Sequence, residues 1–297
     1  MIVVFGSTNL DQVGTVTRLP QPGETVAGGT FSMAPGGKGA NQALAARRAG
    51  AAVRHVSAVG NDAFADMALA LLEAGGVDLS QLRRAEAATG IAMIFVDAAG
   101  ENVIAILPGA NGTISPADAE RGLGELGPGD ILLVQQEVPQ AATRRALELA
   151  RERGATSLLN TAPYLPDTAE LAPLADIVIA NETEFSLLSG RPLAELDAAM
   201  ADWTARTGRT IVVTLGPDGA RARTPDGPLS VPAHKVTPVD TVGAGDTFCG
   251  YLAAALGAGL PLVTALRRAA VAGSLACLHP GAQPAIPTEA AVDAVLG

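Results

Sequence analysis

Aromatic residues make up only 3% of this 297-residue chain, and there are two cysteines, Cys249 and Cys277. The cysteines show no CxxC spacing and have no histidine cluster beside them, so a zinc site is not indicated. A reduced, cytoplasmic setting is expected, with both thiols as small buried apolar groups. The three histidines, His55, His234 and His279, are isolated from one another, which argues against a histidine-based metal centre. Basic charge is also short: the formal net charge is −10, which excludes an electrostatic nucleic-acid binder. An anionic substrate stays open, because local dipoles can gather negative charge in an acidic protein. No apolar run reaches the roughly 18 residues needed to cross a bilayer. Met1 leads directly into "IVVFG" with no basic leader, so a soluble protein without a membrane partner is expected. Several catalytic signatures are missing as well. The one GK pair, Gly37-Lys38, lacks the rest of a GxxxxGK[ST] loop, the first strand runs into "GSTNLD" rather than GxGxxG, and neither GxSxG nor HExxH occurs.

What remains is a well-buried globular composition, 48% hydrophobic and 17% charged. The apolar runs "IVVF" (2–5), "VRHVSAV" (53–59), "DILLV" (130–134), "TSLLN" (156–160), "DIVIA" (176–180) and "TIVVT" (210–214) read as buried strands. Alanine-rich stretches at 37–49, 64–75, 139–153 and 193–206 read as helices between them, and 245–277 is nearly all helical. Buried strands alternating with helices predict a mostly parallel sheet covered on both faces, a three-layer α/β/α core in one domain spanning 1–297. Two segments break the rhythm. Residues 12–34 are rich in Gly, Pro and Thr, and 89–107 contain "IAMIFV" and "NVIAIL" around the turn "DAAGE". Together they predict a small inserted β-sheet, placed as a lid.

Ligands of open α/β sheets bind beyond the carboxyl ends of the strands, so the turns at 6–11, 36–41, 135–137, 181–184, 214–219 and 240–246 come under scrutiny. In "VDTVGAGDTF" the glycines Gly243 and Gly245 flank Ala244, and the N–H groups of 243–246 would converge at a helix N-terminus. Asp246 is then either a helix cap or a base beside an anion hole. In "APGGKGANQA" Lys38 and Asn41 share a helix face at i, i+3 and offer donors to hydroxyls, with Gly37 letting a ligand approach the backbone. The run "NETE" can be a capping box, Asn181 with Glu184, or a carboxylate and amide facing a hydrated Mg²⁺. "TLGPDGA" can cradle phosphate or ribose, or turn into a hairpin. Asn9 and Asp11 in "NLD", with Glu137 in "VQQEVP", put polar groups at strand ends. As a set these turns describe phosphoryl transfer to a polyol, which needs charge neutralisation, alignment and one base.

The order and spacing of "GGKGAN", "NETE", "TLGPDG" and "DTVGAGDTF" also resemble the phosphofructokinase-B-type sugar kinase family, most closely its ribokinase branch, from "VFGSTNLD" to "GAQPAIP". The resemblance implies a ribokinase-like fold and transfer of the γ-phosphoryl of ATP to O5 of D-ribose. The alternative is a related kinase for deoxyribose, a nucleoside, fructose or 2-keto-3-deoxygluconate. It implies Asp246 as catalytic base and Gly243, Ala244 and Gly245 as the anion hole. Asn9, Asp11, Gly37, Lys38, Asn41 and Glu137 match sugar-contacting positions. Asn181, Thr214, Leu215, Gly216, Pro217, Asp218 and Gly219 match nucleotide-binding ones. Glu184 matches the carboxylate that organises Mg²⁺ through water. Asp240 and Val242, with Ala276, His279, Gly281 and Ala285, match an activating K⁺ site, and a homodimer through the lid strands is implied. Two positions depart from the pattern: Ala285 stands where relatives often carry serine, and Ala270 where they often carry His or Asn near the adenine. A non-catalytic sugar-binding protein on the same scaffold would be expected to lose Asp246 or the anion-hole glycines, and both are present. An NAD-dependent oxidoreductase is disfavoured by the missing GxGxxG.

Overall fold

Short β-branched and leucine runs without polar interruption, such as Ile2–Phe5 and Ile131–Val134, form strands buried on both faces, as a sheet sandwiched between helices requires. The computed structural model describes residues 1–297. From the start of the chain the elements are β1 (Ile2–Phe5), β2 (Asn9–Val16), β3 (Gly28–Gly36), α1 (Lys38–Arg48), β4 (Val53–Val56), β5 (Ala58–Gly60) and α2 (Ala63–Ala74). Next come β6 (Arg83–Ala85), β7 (Gly90–Val96), β8 (Asn102–Leu107), α3 (Pro116–Gly122), β9 (Ile131–Val134), α4 (Gln140–Arg153) and β10 (Thr156–Asn160). Then follow α5 (Thr168–Leu171), β11 (Ile177–Asn181), α6 (Glu182–Ser189), α7 (Leu196–Thr207), β12 (Thr210–Thr214), β13 (Ala220–Thr224) and β14 (Gly227–Val231). Three helices close the chain: α8 (Ala244–Gly257), α9 (Leu262–Ala276) and α10 (Glu289–Leu296).

The main sheet has eight strands in the order β14-β13-β12-β11-β10-β9-β1-β4. Six pair in parallel, and at one edge β13 and β14 add two antiparallel pairings, so that β13 alone runs against the rest. Its two faces carry comparable apolar layers of 37 and 32 buried residues, one packed under α1, α2, α8, α9 and α10, the other under α3 to α7. That is the expected three-layer core. A separate four-stranded sheet, β3-β2-β7-β8, is built from the two segments that broke the rhythm.

Several boundaries differ from the sequence reading. Residues 53–59 are two strands in two sheets: β4 joins β1, whereas β5 leaves to pair with β6, with Ser57 between them. Ser57 is buried there with its hydroxyl 2.9 Å from that of Thr8, and no apolar-run argument anticipates such a break. The "NLD" residues are not a turn after β1 but open the lid-type strand β2, so the small sheet begins at Asn9 rather than 12. The turn at 240–246 follows a long irregular segment after Val231 rather than a strand. The helical stretch 245–277 is interrupted between Gly257 and Leu262. Of the two thiols, Cys249 is buried as expected, but Cys277 is only half-buried.

Helix α8 lies against α1 so closely that a Cβ at Gly250 would stand 2.5 Å from the Ala45 Cβ and 2.6 Å from the Gln42 carbonyl oxygen. Only glycine permits this backbone approach. Gly250→Ala is expected to destabilise the fold by about 1–3 kcal/mol through overpacking, read as a lower urea midpoint.

Candidate active site

The glycine-rich entry to α1 is laid across the end of β1. Gly37, at φ 89, would bring a Cβ within 2.7 Å of the Asn9 N, and Gly39 within 2.5 Å of the Ser7 N. Both glycines therefore permit backbone-on-backbone packing, beside the ligand approach expected for Gly37. The same packing gives the Ala40 N–H to the Ser7 carbonyl oxygen at 2.9 Å. Glu137, just after β9, locks the junction: its Oε2 accepts from the Ser7 Oγ at 2.5 Å and from the Lys38 N–H at 3.0 Å. Asp11 stands over Gly36, where a Cβ would lie 2.2 Å from its Oδ2.

Helix α8 starts with Gly243 as its N-cap in the left-handed region, φ 75. Asp246 is thus the third residue of the helix rather than its cap, and its carboxylate points at α1. Its Oδ2 accepts from the Asn41 Nδ2 at 2.9 Å and its Oδ1 from the Gln42 Nε2 at 2.9 Å. Asp246 is 7% exposed, and the buried Asn41 Oδ1 has no partner, which leaves an acceptor for a hydroxyl. At Gly245 an added Cβ would meet nothing within 4 Å, so this helix N-terminus opens onto free space. First-turn N–H groups facing such space favour an anion by geometry and dipole.

Asn181 and Glu184 form the capping box of α6. Glu184 goes further than capping, since its Oε2 also accepts from the Thr161 hydroxyl at 2.9 Å. One cavity of about 150 Å³ joins these groups, lined by Lys38, Asn160, Asn181, Glu184, Thr214, Gly243, Gly245 and Asp246. The segment after β12 makes a short turn over Gly216, Pro217 and Asp218, and Gly219 starts the return into β13, so the hairpin alternative is also real. Leu215 and Asp218 line a neighbouring hollow of about 550 Å³ with Glu182, Glu195 and Arg221, rather than the cavity itself.

Asp240 ties two loops together: its Oδ1 accepts from the Val242 N–H at 3.0 Å and its Oδ2 from the Gly281 N–H at 2.8 Å. Gly243 packs on Ala282, where an added Cβ would lie 2.8 Å from the Ala282 Cβ. Ala276 and Ala285 are buried nearby in sequence, whereas His279 is exposed and makes no hydrogen bond to Asp240.

Sequence reasoning missed the polar residues beneath the site. Gln42, fully buried, also donates to the Asn160 Oδ1 at 3.1 Å and accepts from the Gln135 Nε2 at 2.6 Å. Asn111 donates to the Asn9 Oδ1 at 2.7 Å and to the Thr8 carbonyl at 3.0 Å. Behind them His55 bonds Thr8, and burial pushes its imidazole down to about 4, so it stays neutral. Gln42 was the one with a signal, being a long polar side chain in an alanine-rich helix next to Asn41.

The charges are unevenly balanced. Lys38 faces Asp246, Glu137 and Glu184, which together hold its ammonium above the ordinary lysine range against its burial. Asp11 is raised to about 7 by burial, then by Glu137 and Asp246, with Lys38 opposing.

A three-layer α/β core with polar groups gathered at a helix N-terminus suits a carbohydrate kinase, and the chain belongs to that class: residues 1–289 match the pfkB family carbohydrate kinase model. Among curated relatives, it is 38% identical over 292 residues to the ribokinase of Staphylococcus aureus (strain COL), covering 96% of both chains. It is 36% identical over 297 residues to the bifunctional ribokinase/ribose-5-phosphate isomerase A of Fructilactobacillus sanfranciscensis, covering 98% of this chain but 55% of that protein. The chain thus spans about half the length of the bifunctional relative. The solved structure of Arabidopsis thaliana ribokinase complexed with ribose and ATP is similar at TM-score 0.90 and 30% identity, over 99% of this chain and 98% of that one.

A raised carboxyl makes stability depend on pH. Between the ordinary value of 3.8 and about 7, the folded state holds the Asp11 proton more tightly than the unfolded chain, so the contribution of Asp11 to stability falls as pH rises through that window. Asp11→Asn is therefore expected to stabilise the ligand-free protein at pH 8, the gain shrinking toward pH 4. Urea titrations at both pH values check the sign.

Proposed function

We propose that this protein is a ribokinase, transferring the γ-phosphoryl of ATP to O5 of D-ribose to give D-ribose 5-phosphate. The observation that carries the reading is the cavity in which Asp246 and Lys38 face the open helix N-terminus at Gly245, with Asn41 bonded to the Asp246 carboxylate from α1. Asn9, Asp11, Gly37, Lys38, Asn41 and Glu137 bind the sugar, with Lys38 as the one cation among three carboxylates. Asp246 takes the proton from the attacking hydroxyl, whose oxygen lone pair forms the new bond to phosphorus as the bond to the ADP oxygen breaks. The N–H groups at Gly243, Ala244 and Gly245 balance charge on the transferring oxygens. Asn181, Thr214 and the turn from Leu215 through Gly216, Pro217 and Asp218 to Gly219 hold the nucleotide.

The donor set fits Mg²⁺ in its hydrated form. Glu184 is a single carboxylate on the cavity wall, enough to hold waters of an ion whose other ligands are phosphates. Mg²⁺ there would neutralise phosphate charge. K⁺ is placed at the loop of Asp240, whose carboxylate ties Val242 to Gly281, with backbone oxygens of Val242, Ala276, His279, Gly281 and Ala285 as further ligands by the family resemblance. Bound there, K⁺ would stiffen the segment leading into Gly243. Ala285 adds no side-chain oxygen, so the activation is smaller than a serine there would allow.

The small sheet acts as the lid and as a dimer interface. It exposes Phe31, Val103, Ile104 and Ile106, each 46–65% accessible, an apolar surface larger than isolated exposed side chains account for. No helix is long and apolar enough to cross a membrane, and we place the protein in the cytoplasm.

Two measurements test this reading. Asp246→Asn should lower kcat by about 10²- to 10⁴-fold while ATP still binds. In an acceptor panel of ribose, deoxyribose, fructose, adenosine and ketodeoxygluconate, ribose should give the highest kcat/KM, and another winner overturns the substrate. For the interface, sedimentation should show a dimer for the parent and a monomer for Ile104→Glu.

A further inference from the structure

Both oxygens of Asp246 are held by side-chain amides, but the two amides are not equivalent. Asn41 donates to Oδ2 through Nδ2, and its own Oδ1 is buried without a partner. Nothing at its far end opposes rotation toward a sugar hydroxyl. Gln42 donates to Oδ1 and is fixed at three points: Nε2 serves the Asp246 Oδ1 and the Asn160 Oδ1, and Oε1 accepts from the Gln135 Nε2 at 2.6 Å. Two acceptors on one side and the Gln135 donor on the other set the orientation of the amide. Turning it over would place Oε1 against two acceptor oxygens and Nε2 against a donor, leaving five buried polar atoms mismatched, its own two included. Gln42 is 0% exposed and Gln135 likewise, so no water replaces the lost partners.

We propose that Gln42, oriented by Gln135, is the positioning residue for the catalytic aspartate, and that Oδ2 is the oxygen that accepts the proton. Gln42 keeps hold of Oδ1 throughout, fixing the plane of the carboxylate from beneath. Asn41 gives up Oδ2 when the sugar arrives, so the hydroxyl O–H takes the place that the Asn41 N–H held. The proton passes to Oδ2, the hydroxyl oxygen bonds to phosphorus, and the leaving electron pair stays on the ADP oxygen. A carboxylate held by one rigid amide and one releasable amide presents a single oxygen in one direction, the alignment that proton abstraction in step with attack requires. The inference rests on Asp246 being the base, and the Asp246→Asn variant tests that separately.

Gln42→Met fills the same volume without donor or acceptor. It should lower kcat by about 10- to 100-fold while KM for ATP and for ribose stay within about twofold, because neither substrate touches residue 42. Gln135→Leu, which never contacts Asp246, should give a smaller loss of about threefold to tenfold in kcat with the same unchanged KM values. Unchanged kcat in Gln42→Met overturns the proposal, as does a fall in kcat accompanied by matching rises in both KM values and a lowered melting temperature, the signature of general loosening. If Gln42→Met does not fold, Gln135→Leu decides by the same two criteria. Loss of turnover in Asp246→Asn with full kcat in both glutamine variants would remove the positioning role and leave the base in place. Turnover retained in Asp246→Asn would remove both.

Discussion

The approach of α8 to α1 at Gly250 is the contact on which the site depends. With Ala45 and the Gln42 carbonyl closer to that glycine than any side chain could tolerate, the two helices settle at one distance. That distance brings the starts of the two helices together, so that Asn41 and Gln42 reach the carboxylate of Asp246 from one side. The N-terminus of α8 and its carboxylate are thereby fixed relative to Lys38, the first residue of α1. Close packing of the two backbones supplies the precision.

A second layer of constraint runs through the end of β1. Residues 6–8 support the glycine-rich entry to α1, exchange hydrogen bonds with Glu137 and Asn111, and pass directly into β2. The main sheet therefore holds Asn9, Asp11 and Lys38 by backbone contact. The cost appears in Asp11, whose carboxyl is buried near two others and is kept from its ordinary acidity. Burial and two neighbouring carboxylates act on this one group together, and Lys38 offsets only part of their effect.

Much of this was legible in the sequence, for physical reasons that differ by region. The parallel core strands announce themselves because burial on both faces forces continuous apolar runs, and the small sheet because its strands alternate and sit beside turn residues. The site loops were legible through charge and glycine in turns that a core does not need. The relay from Gln135 through Gln42 to Asp246 was not, since its members lie 93 and 204 positions apart and no local period links them. The break at Ser57 was hidden for a similar reason: its partner is Thr8, on another strand. The backbone packing at Gly37 and Gly39 was hidden because a glycine required by a neighbouring backbone and one required by a ligand look alike in a sequence.

The small sheet has four strands, and each meets the core at a residue next to the site. β2 begins with Asn9, β3 ends at Gly36, β7 begins at Gly90 against the Asn9 and Asn111 amides, and β8 ends two residues before Gly109. The small sheet and its junctions with the core at Asn9, Gly36 and Gly90 are therefore one piece of folded chain. Any inherited change that reshapes the exterior of this sheet also tilts Asn9 and Asp11, so its outer face and these buried polar groups drift together over generations. Lineages that alter one would find the other already moved, whereas Asn181 and Thr214, carried at the ends of β11 and β12 in the core, stay free to vary alone.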